Sequence, residues 1–435
     1  MKRTLATGIA LILLAWGYGI VIDPTPSTAS APWMVRQEAL YLTGLLSFSL
    51  MSAAMVLANR PAWIETLLGG MDRIYRMHKW MGIAAVFFGA VHWLVEMSDD
   101  VLKAFVGRSG RIPKEHGGGW FALMREFGED LGEWAIYALL VLFVITLWKR
   151  FPYHLWRYLH RVMPVLYLML VIHAVFLAPV QYWRQPAGLL LALLAMAGVL
   201  AAVRSLTGSI GQGRKVHGVI DALRSPGDGI TEVTCLVPAG WKKHRPGQFA
   251  FVTFDRFEGA HPFTIAGVDH AARKITFQIK ALGDYTKTLA AHLQQGQPMQ
   301  IEGPYGRFDF RRASSRKRQI WVAGGIGVTP FLAWLESLQN TPETAPDVDL
   351  YYSVRRSDGD PFVDRLKALC EKLPSIRLHI RSTDRDGVMA PHDLDQDRRP
   401  LRQAEIWFCG PKAFGDALRK GLRGVRFHQE AFEMR

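Results

Sequence analysis

Two apolar stretches, Arg76–Glu96 and Trp156–Phe176, constrain the fold more than any other part of this sequence. Each is long enough to cross a bilayer as a helix. Each carries two histidines, fourteen residues apart in the first stretch and thirteen in the second: His78 with His92, and His160 with His173. In a helix these spacings place the two rings roughly 20 Å apart along the axis and near one face.

Two such helices side by side would present one histidine pair near each membrane surface. A lone histidine in a membrane helix can be a packing residue, but ionisable groups are expensive to bury in lipid. Four of them at matching spacing therefore indicate a function. We predict that His78 with His160, and His92 with His173, each bind the iron of a b-type haem at both axial positions. Such iron relays single electrons and does not bind a substrate directly.

The apolar runs predict a six-helix transmembrane haem-binding bundle over residues 1–208. The predicted spans are Leu5–Ile22, Glu38–Leu57, Arg76–Glu96, Leu131–Trp148, Trp156–Phe176 and Pro186–Val203. The first run follows a basic start, as a signal peptide does, but its length favours an uncleaved helix. A short Gly- and Ser-rich stretch, Ser205–Gly213, ends the bundle.

The distribution of basic residues predicts the orientation in the membrane. Arginines and lysines concentrate in the loops Asn59–Lys79 and Lys149–Arg161, whereas the predicted loop Ser98–Asp130 balances its bases with acids. The positive-inside rule then places both termini and the soluble half in the cytoplasm, in a multi-pass protein of the inner (plasma) membrane. The net charge of +14 fits this orientation and a phosphate-rich cofactor. It does not indicate nucleic-acid binding, because no basic stretch is interleaved with exposed aromatics.

The region 209–313 is predicted to form a small antiparallel β-barrel. The runs Val216–Ala222, Ile230–Val237, Gln248–Phe254 and Ile275–Leu282 alternate in polarity and are punctuated by Pro and Gly. Three further segments combine a flat aromatic, a hydroxyl and backbone-rich turns: His261-Pro262-Phe263-Thr264, Lys280 to Gly283 and Thr286, and Glu302 to Gly306. A helix opening at Asp284, with Thr286 in its first turn, would hold a pyrophosphate.

The region 314–435 alternates strands and helices, which predicts an open parallel sheet of an α/β domain. A buried-type strand, Gln319–Ala323, runs into Gly324-Gly325-Ile326-Gly327-Val328-Thr329-Pro330 and then a helix. Glycines in such a turn let backbone N–H groups approach the phosphates of a dinucleotide. Arg355 and Arg356 follow the second strand, where a ribose 2′-phosphate would lie, so they favour NADPH over NADH. The alternative is two solvated basic residues at a strand end.

Over nearly its whole length the chain resembles the ferric reductase and NADPH oxidase superfamily. The paired histidines match its two haem sites, and His261-Pro262-Phe263-Thr264 is similar to its flavin motif. The glycine turn at Gly324–Pro330 and the segment Cys409-Gly410-Pro411 resemble its nicotinamide motifs, and Phe427–Phe432 resembles its C-terminal tail. The expected cofactors are therefore FAD, two haems b and NADPH, with NADH as a possible donor.

The resemblance also implies roles for single residues. Phe263 and Thr264 would contact the flavin ring, and Thr286 the FAD phosphates. Cys409 would lie near the nicotinamide. Phe432 would stack on the isoalloxazine and move aside when nicotinamide enters. Cys409, Phe432 and Thr264 are thus the expected residues of the hydride-transfer centre.

The predicted function is transmembrane electron transfer from cytoplasmic NADPH, through FAD and both haems, to an acceptor outside. Molecular oxygen, giving superoxide, is the favoured acceptor because of the oxidase-like tail. A ferric chelate is the alternative. A different class is a membrane subunit that donates electrons to a periplasmic partner reductase, but the fused nucleotide module argues against it. A membrane scaffold with degenerate sites is the remaining alternative.

Overall fold

The computed structural model describes residues 2–23, 29–112, 118–148, 150–314, 317–394 and 401–430. The chain divides into two compact units, one made of Met1–Leu68 with Arg73–Ile210 and the other of Gly69–Asp72 with Gly211–Arg435. The second unit contains both predicted soluble regions. The predicted division of the chain at residues 208 and 313 therefore remains a prediction.

Helices form the first unit. They are α1 (Lys2–Ile22), α2 (Ala31–Ala58), α3 (Ala62–Leu68), α4 (Met71–Val106), α5 (Trp120–Leu147), α6 (Tyr153–His160), α7 (Met163–Leu177) and α8 (Pro186–Leu206). Within the described residues, six helical segments are long and apolar enough to cross a membrane, α6 and α7 together supplying one of them. The predicted six-helix arrangement is confirmed. Its core includes Phe48 of α2, which stacks on Tyr167 of α7 with ring centroids 5.9 Å apart.

Two helices extend well beyond their predicted spans, so most of the predicted loop Ser98–Asp130 is helical. Helix α4 continues past Glu96 to Val106, and α5 begins at Trp120. Ion pairs support the polar end of α4: Arg36 of α2 binds Glu96 at 2.9 Å, and Lys103 binds Asp99 one helical turn away at 2.5 Å. An apolar run marks the part of a helix that suits lipid, not the whole helix.

The fifth predicted span, Trp156–Phe176, is not one continuous helix. Helix α6 ends at His160, and α7 begins at Met163. Pro164 lies in the first turn of α7, where its missing N–H and fixed φ are tolerated. Pro164 is the sequence signal for this break. His160 and His173 therefore lie on different helices.

The first part of the second unit is a closed antiparallel barrel. Its strands are β1 (Lys215–Gly227), β2 (Ile230–Leu236), β3 (Phe249–Thr253), β4 (His261–Asp269), β5 (Lys274–Lys280) and β6 (Pro298–Tyr305), with α9 (Asp284–His292) between β5 and β6. In residues 211–314 the strand order is β1-β2-β5-β4-β3-β6. Strands β4 and β6 contain Pro262 and Pro304, which hide the strand pattern in the sequence.

A parallel sheet completes the second unit. Its elements are β7 (Arg318–Gly324), α10 (Thr329–Leu338), β8 (Val348–Val354), α11 (Val363–Glu371), β9 (Ile376–Ser382), α12 (Thr383–Asp386), β10 (Ala404–Cys409), α13 (Lys412–Gly421) and β11 (Arg426–Glu430). As far as the described residues go, the strand order is β11-β10-β7-β8-β9. The predicted barrel and α/β fold are confirmed.

An aromatic cluster fixes the barrel against this sheet. Trp334 of α10 stacks on Phe308 with ring centroids 4.7 Å apart, and its Nε1–H donates to the Pro246 carbonyl at 3.1 Å. Trp321 and Trp407, fully buried on neighbouring strands, pack edge-on against the same ring. Because aromatic rings bury large areas, this cluster holds the two parts of the unit in one arrangement.

Candidate functional site

The four histidines of the first unit meet as two pairs. The ring centroids of His78 and His160 lie 6.1 Å apart at an interplanar angle of 81°. Those of His92 and His173 also lie 6.1 Å apart, at 88°. Each pair joins α4 to the helix pair α6 and α7. The sequence prediction of which histidines face each other agrees with this geometry.

Backbone carbonyls orient three of the four rings. The Nδ1–H groups of His78 and His92 donate to carbonyls of α2, Ala54 at 2.9 Å and Leu40 at 3.0 Å. The Nδ1–H of His173 donates to the carbonyl of Gly128 on α5 at 2.9 Å. A carbonyl only accepts, so Nδ1 carries the proton and Nε2 keeps its lone pair. These three histidines present the nitrogen that a metal binds.

Glycines give two of these rings their space. A methyl group at Gly132 of α5 would lie 2.2 Å from Nδ1 of His173, and one at Gly44 of α2 would lie 3.1 Å from His92. Any side chain at Gly132 would displace the ring. Neither glycine was predicted from the sequence, because nothing in a membrane helix distinguishes a glycine facing a ring from one facing lipid.

The gap within each pair would fit one iron atom held between the two rings. A metal–nitrogen bond of about 2 Å on each side, plus about 1 Å from each nitrogen to its ring centre, separates the ring centres by roughly 6 Å. Both observed separations are 6.1 Å. Within the described residues, no group of three or more His, Cys, Asp or Glu could hold a metal ion by itself. Paired histidines suit a macrocycle that supplies the other ligands.

In the second unit, the segment from His261 to Thr264 begins β4. Phe263 packs against the barrel core, and the ring of His261 stacks on Tyr285 with centroids 4.6 Å apart. Pro262 and Thr264 alternate to the other face of the strand. All four predicted residues, from His261 to Thr264, are half-buried. The segment thus presents an aromatic face and a hydroxyl face at one strand.

The turn before α9 is held by a reciprocal cap. The Thr286 hydroxyl accepts from the N–H groups of Leu282 and Gly283, both at 3.0 Å, and donates to the Gly283 carbonyl at 3.2 Å. Lys280 forms an ion pair with Asp228 at 2.7 Å. Both predicted side chains therefore have partners within the protein, and any anion at this turn would be bound chiefly by backbone N–H groups of α9.

The glycine turn lies where the strand order of the sheet reverses. From β7 the chain adds β8 and β9 on one side, and then crosses to β10 and β11 on the other. The carboxyl ends of β7 and β10 are neighbours, and this switch point is where open α/β sheets bind ligands. Gly324 ends β7 and Gly325 and Gly327 follow it, while Gly410 and Pro411 follow β10.

Backbone contacts at this edge require glycine. A methyl group at Gly327 would lie 2.3 Å from the Cys409 carbonyl, and one at Gly324 would lie 2.8 Å from Pro411. Gly325 instead has a φ of +53° and open space around it. Thr329 and Pro330 are buried in the first turn of α10, where the Thr329 hydroxyl donates to the Ile326 carbonyl at 2.6 Å. The carboxyl ends of β7 and β10 thus pack closely together, and Gly325 faces open space beside them. We call the segment Gly324–Gly327 at this edge the cradle.

A run of neighbouring residues connects the barrel segment to Cys409. Thr264 pairs with Phe249 of β3, and Phe249 pairs with Tyr305 of β6. The next residue, Gly306, has a φ of +100°, and a methyl group there would lie 3.0 Å from Oε1 of Glu430. Glu430 pairs with Cys409 across β11 and β10. The structure therefore brings the predicted flavin and nicotinamide segments to one region.

Cys409 is buried, which raises the pKa of its thiol, and the neighbouring Glu430 carboxylate adds to the rise. The group therefore stays a neutral thiol at physiological pH and does not act as a nucleophile. Phe432, the predicted stacking residue, lies outside the described residues.

Arg355 and Arg356 follow β8 as predicted, and both are exposed. Arg355 lies 3.6 Å from Asp384, a contact weak enough to exchange for a phosphate. The Arg355 backbone is fixed, because its carbonyl accepts from the Ser382 hydroxyl at 3.2 Å. Arg385, which donates to Ser357 at 3.2 Å, adds a third base that the sequence prediction missed.

Comparison with known families matches both units. Residues 43–171 match the ferric reductase like transmembrane component, and residues 221–309 match an FAD-binding domain. The chain has the domain architecture of the NADPH oxidase and ferric reductase family. The ferric-reductase-like match includes His78, His92 and His160 and ends just before His173.

Two curated relatives match part of this chain, and part of their own length. The anthranilate 1,2-dioxygenase electron transfer component of Acinetobacter baylyi is 25% identical over 208 residues, which cover 44% of this chain and 60% of that protein. A flavohemoprotein of Rhodopirellula baltica is 26% identical over 157 residues, which cover 32% of this chain and 38% of that protein. This chain therefore spans less than two thirds of the length of either relative.

Among solved structures, a ferredoxin NADP+ reductase from Neisseria gonorrhoeae with bound FAD and NADP is similar over 50% of this chain and 98% of its own, at 18% identity and a TM-score of 0.42. Phthalate dioxygenase reductase is similar over 50% of this chain and 68% of its own, at 20% identity and the same TM-score.

Proposed function

We propose that the protein moves electrons from cytoplasmic NADPH, through FAD and two b-type haems, to molecular oxygen on the far side of the membrane. The two histidine pairs carry this proposal, since each has the ring separation that one iron requires. The combination of the two matched domains supports electron transfer at a membrane from NAD(P)H through a flavin. When bound, FAD accepts a hydride and releases single electrons, which the haems relay.

The membrane helices hold and orient ligands. His78 and His160 would bind one haem, and His92 and His173 the other. Helix α2 orients both histidines of α4 through the Ala54 and Leu40 carbonyls, which fixes the direction of the two Nε2 atoms. Preorientation lowers the entropy lost on binding.

The second unit brings donor and flavin together. The cradle at Gly324–Gly327 would hold the pyrophosphate of NADPH through backbone N–H groups. Cys409 would lie beside the nicotinamide as a neutral thiol that adds no charge. Thr264 would donate a hydrogen bond to the flavin ring, and Phe263 would support it. Phe432 would cover the ring until nicotinamide displaces it.

NADPH is proposed over NADH because two exposed arginines follow β8. A 2′-phosphate is recognised well by guanidinium groups. Arg355 and Arg356 stand on a loop whose backbone is hydrogen bonded to Ser382, so they present a fixed basic surface. NADH lacks the phosphate and would gain nothing from them.

The inner membrane, with both termini in the cytoplasm, is the proposed location. The two loops rich in bases, Asn59–Lys79 and Lys149–Arg161, fall on one side of six spans, whereas Ser98–Asp130 balances its bases with acids. Electrons then travel outward. A membrane potential that is negative inside favours this direction by about 2.3 kcal/mol per charge per 100 mV.

Steady-state turnover of the purified, membrane-reconstituted protein tests the proposal. NADPH and NADH are compared as donors, oxygen and ferric citrate as acceptors, with haem and flavin counted per chain. We expect two haems, one flavin, faster turnover with NADPH, and dye reduction that superoxide dismutase suppresses.

Each departure from this result has a defined meaning. A Soret band that does not shift on adding dithionite contradicts the haem assignment. Brisk ferric-citrate reduction without superoxide replaces oxygen by a ferric chelate as acceptor. Haems that NADPH reduces but neither acceptor reoxidises would indicate a partner protein on the far side.

A further inference from the structure

One of the four histidines is held differently from the others. Carbonyls of Ala54, Leu40 and Gly128 accept from the Nδ1–H groups of His78, His92 and His173. Among the described residues, none makes a hydrogen bond with His160. Its ring instead stacks on Trp156, with centroids 5.0 Å apart and planes 24° apart.

The helix break accounts for the difference. Helix α2 can orient both histidines of α4 because its two acceptors have the same spacing as the two rings. His78 and His92 are fourteen residues apart, as are Ala54 and Leu40. A carbonyl of α5 could accept from His160 in the same way only if α7 extended without a break as far as His160. The chain leaves the helix at Arg161 and Val162, so His160 ends α6 and loses that register.

Trp156 is itself fixed to α5. Its Nε1–H donates to the Thr146 hydroxyl at 3.0 Å, and that hydroxyl donates to the Leu142 carbonyl at 2.7 Å. Trp156 precedes His160 by four residues, so both side chains lie on one face of α6. A chain of contacts therefore runs from α5 through Thr146 and Trp156 to His160.

Stacking and hydrogen bonding constrain an imidazole differently. A carbonyl at Nδ1 sets the tautomer, the rotation of the ring within its plane and the basicity of Nε2. A stacked indole sets only the plane of the ring. His160 therefore retains a freedom that the other three histidines have lost.

We propose that Trp156, oriented by Thr146, is the positioning residue of His160, and that the His78/His160 pair consequently holds its haem less firmly than the His92/His173 pair. This inference rests on the proposed function, since it concerns the haems that the function requires. Removing the Thr146 hydroxyl should release Trp156, and removing the indole should release His160.

The test uses haem content and spectroscopy and does not depend on turnover. The variants are T146V, T146S and W156L, with W134L as control because Trp134 of α5 is 70% exposed. Haem per chain is measured during dilution or competition with apomyoglobin, and low-spin ferric signals are recorded by electron paramagnetic resonance. The H173L variant, which lacks the second pair, assigns each signal to its site.

We expect W156L to lose one haem of two, and the wild type to release the haem of the His78/His160 pair first. T146V should weaken that site by about 10- to 100-fold, as changes around metal ligands commonly do. T146S keeps a hydroxyl and should restore wild-type retention, while W134L should behave as wild type.

Other outcomes contradict one proposal or the other. A wild-type protein without haem contradicts the proposed function itself. Two haems that both survive in W156L and T146V, with unchanged ferric signals, contradict the role of Trp156. If W156L does not fold, T146V against T146S decides, since a hydroxyl-to-methyl change in one helix is a mild test.

Discussion

In the helical unit, side chains from different helices face one another across a gap, whereas in the second unit the backbones of two strands close together. The histidine rings of each pair are 6.1 Å apart and hold a space. At the sheet edge, the Cys409 carbonyl would meet a methyl group on Gly327 at 2.3 Å. One site needs particular side chains, and the other needs their absence.

This difference decides what sequence reasoning can find. Histidines in an apolar stretch are conspicuous, and their spacing predicted both pairs. The glycine turn departs from the strict dinucleotide pattern, so its composition alone said little. It became informative because a buried strand precedes it and a helix follows it. A site made of backbone is recognised from its structural context.

The largest expected effect is on the side-chain site. His173→Leu removes one ligand of the second pair, so that haem should be lost and transfer to the outer acceptor should stop. NADPH should still reduce the flavin. Haem per chain and stopped-flow flavin reduction measure the two effects, with the exposed His217→Leu as control. Unchanged haem content would mean that His173 is not a ligand.

A smaller change at the same site tests whether the space around the ring matters. Gly132→Ala keeps every ligand but places a methyl group 2.2 Å from Nδ1 of His173, which should break the bond to Gly128. Haem affinity at this pair should fall by about 10- to 100-fold. Gly82→Ala in α4 meets no atom within 4 Å and is the matched control. Equal haem retention in the two variants would show that the ring has room to move.

The cradle at Gly324–Gly327 is made of backbone. Adding a methyl group there should therefore have a larger effect than removing most side chains. Gly327→Ala forces β7 and β10 apart at their carboxyl ends, and overpacking of this kind costs about 1–3 kcal/mol. Flavin reduction by NADPH should slow by roughly tenfold or more, while dithionite still reduces the haems. Gly240→Ala, in open space, is the control. A wild-type rate for Gly327→Ala would contradict the cradle.

The smallest expected effect belongs to the exposed arginines. Replacing Arg355 and Arg356 by alanine should raise KM for NADPH roughly five- to tenfold, since each exposed contact contributes about 1 kcal/mol at most. KM for NADH should not change. The control is a matched loss of charge, Lys420→Ala with Arg423→Ala, at two exposed bases between β10 and β11. Equal effects on both nucleotides would mean that these arginines do not read the 2′-phosphate.

Much of the fold followed from periodicity, because apolar spans, alternating strands and a strand–helix repeat each leave a pattern. Boundaries failed where polar contacts extend an element, as the ion pairs of Glu96 and Asp99 do for α4. Strands β4 and β6 were hidden by Pro262 and Pro304. The role of Gly132, and the backbone carbonyls that accept from the rings, depend on neighbours in three dimensions. No spacing rule in the sequence predicts them.

The carbonyls that orient His78, His92 and His173 belong to Ala54, Leu40 and Gly128. Every amino acid carries the same carbonyl, so point substitutions at Ala54 and Leu40 leave the acceptor in place. At Gly128 a side chain would also meet Leu177 at 2.9 Å. Thr146 and Trp156 act through their side chains, so a single substitution can remove their contacts. The orientation of His78 and His92 is thus robust to mutation, whereas that of His160 can be changed by a single substitution.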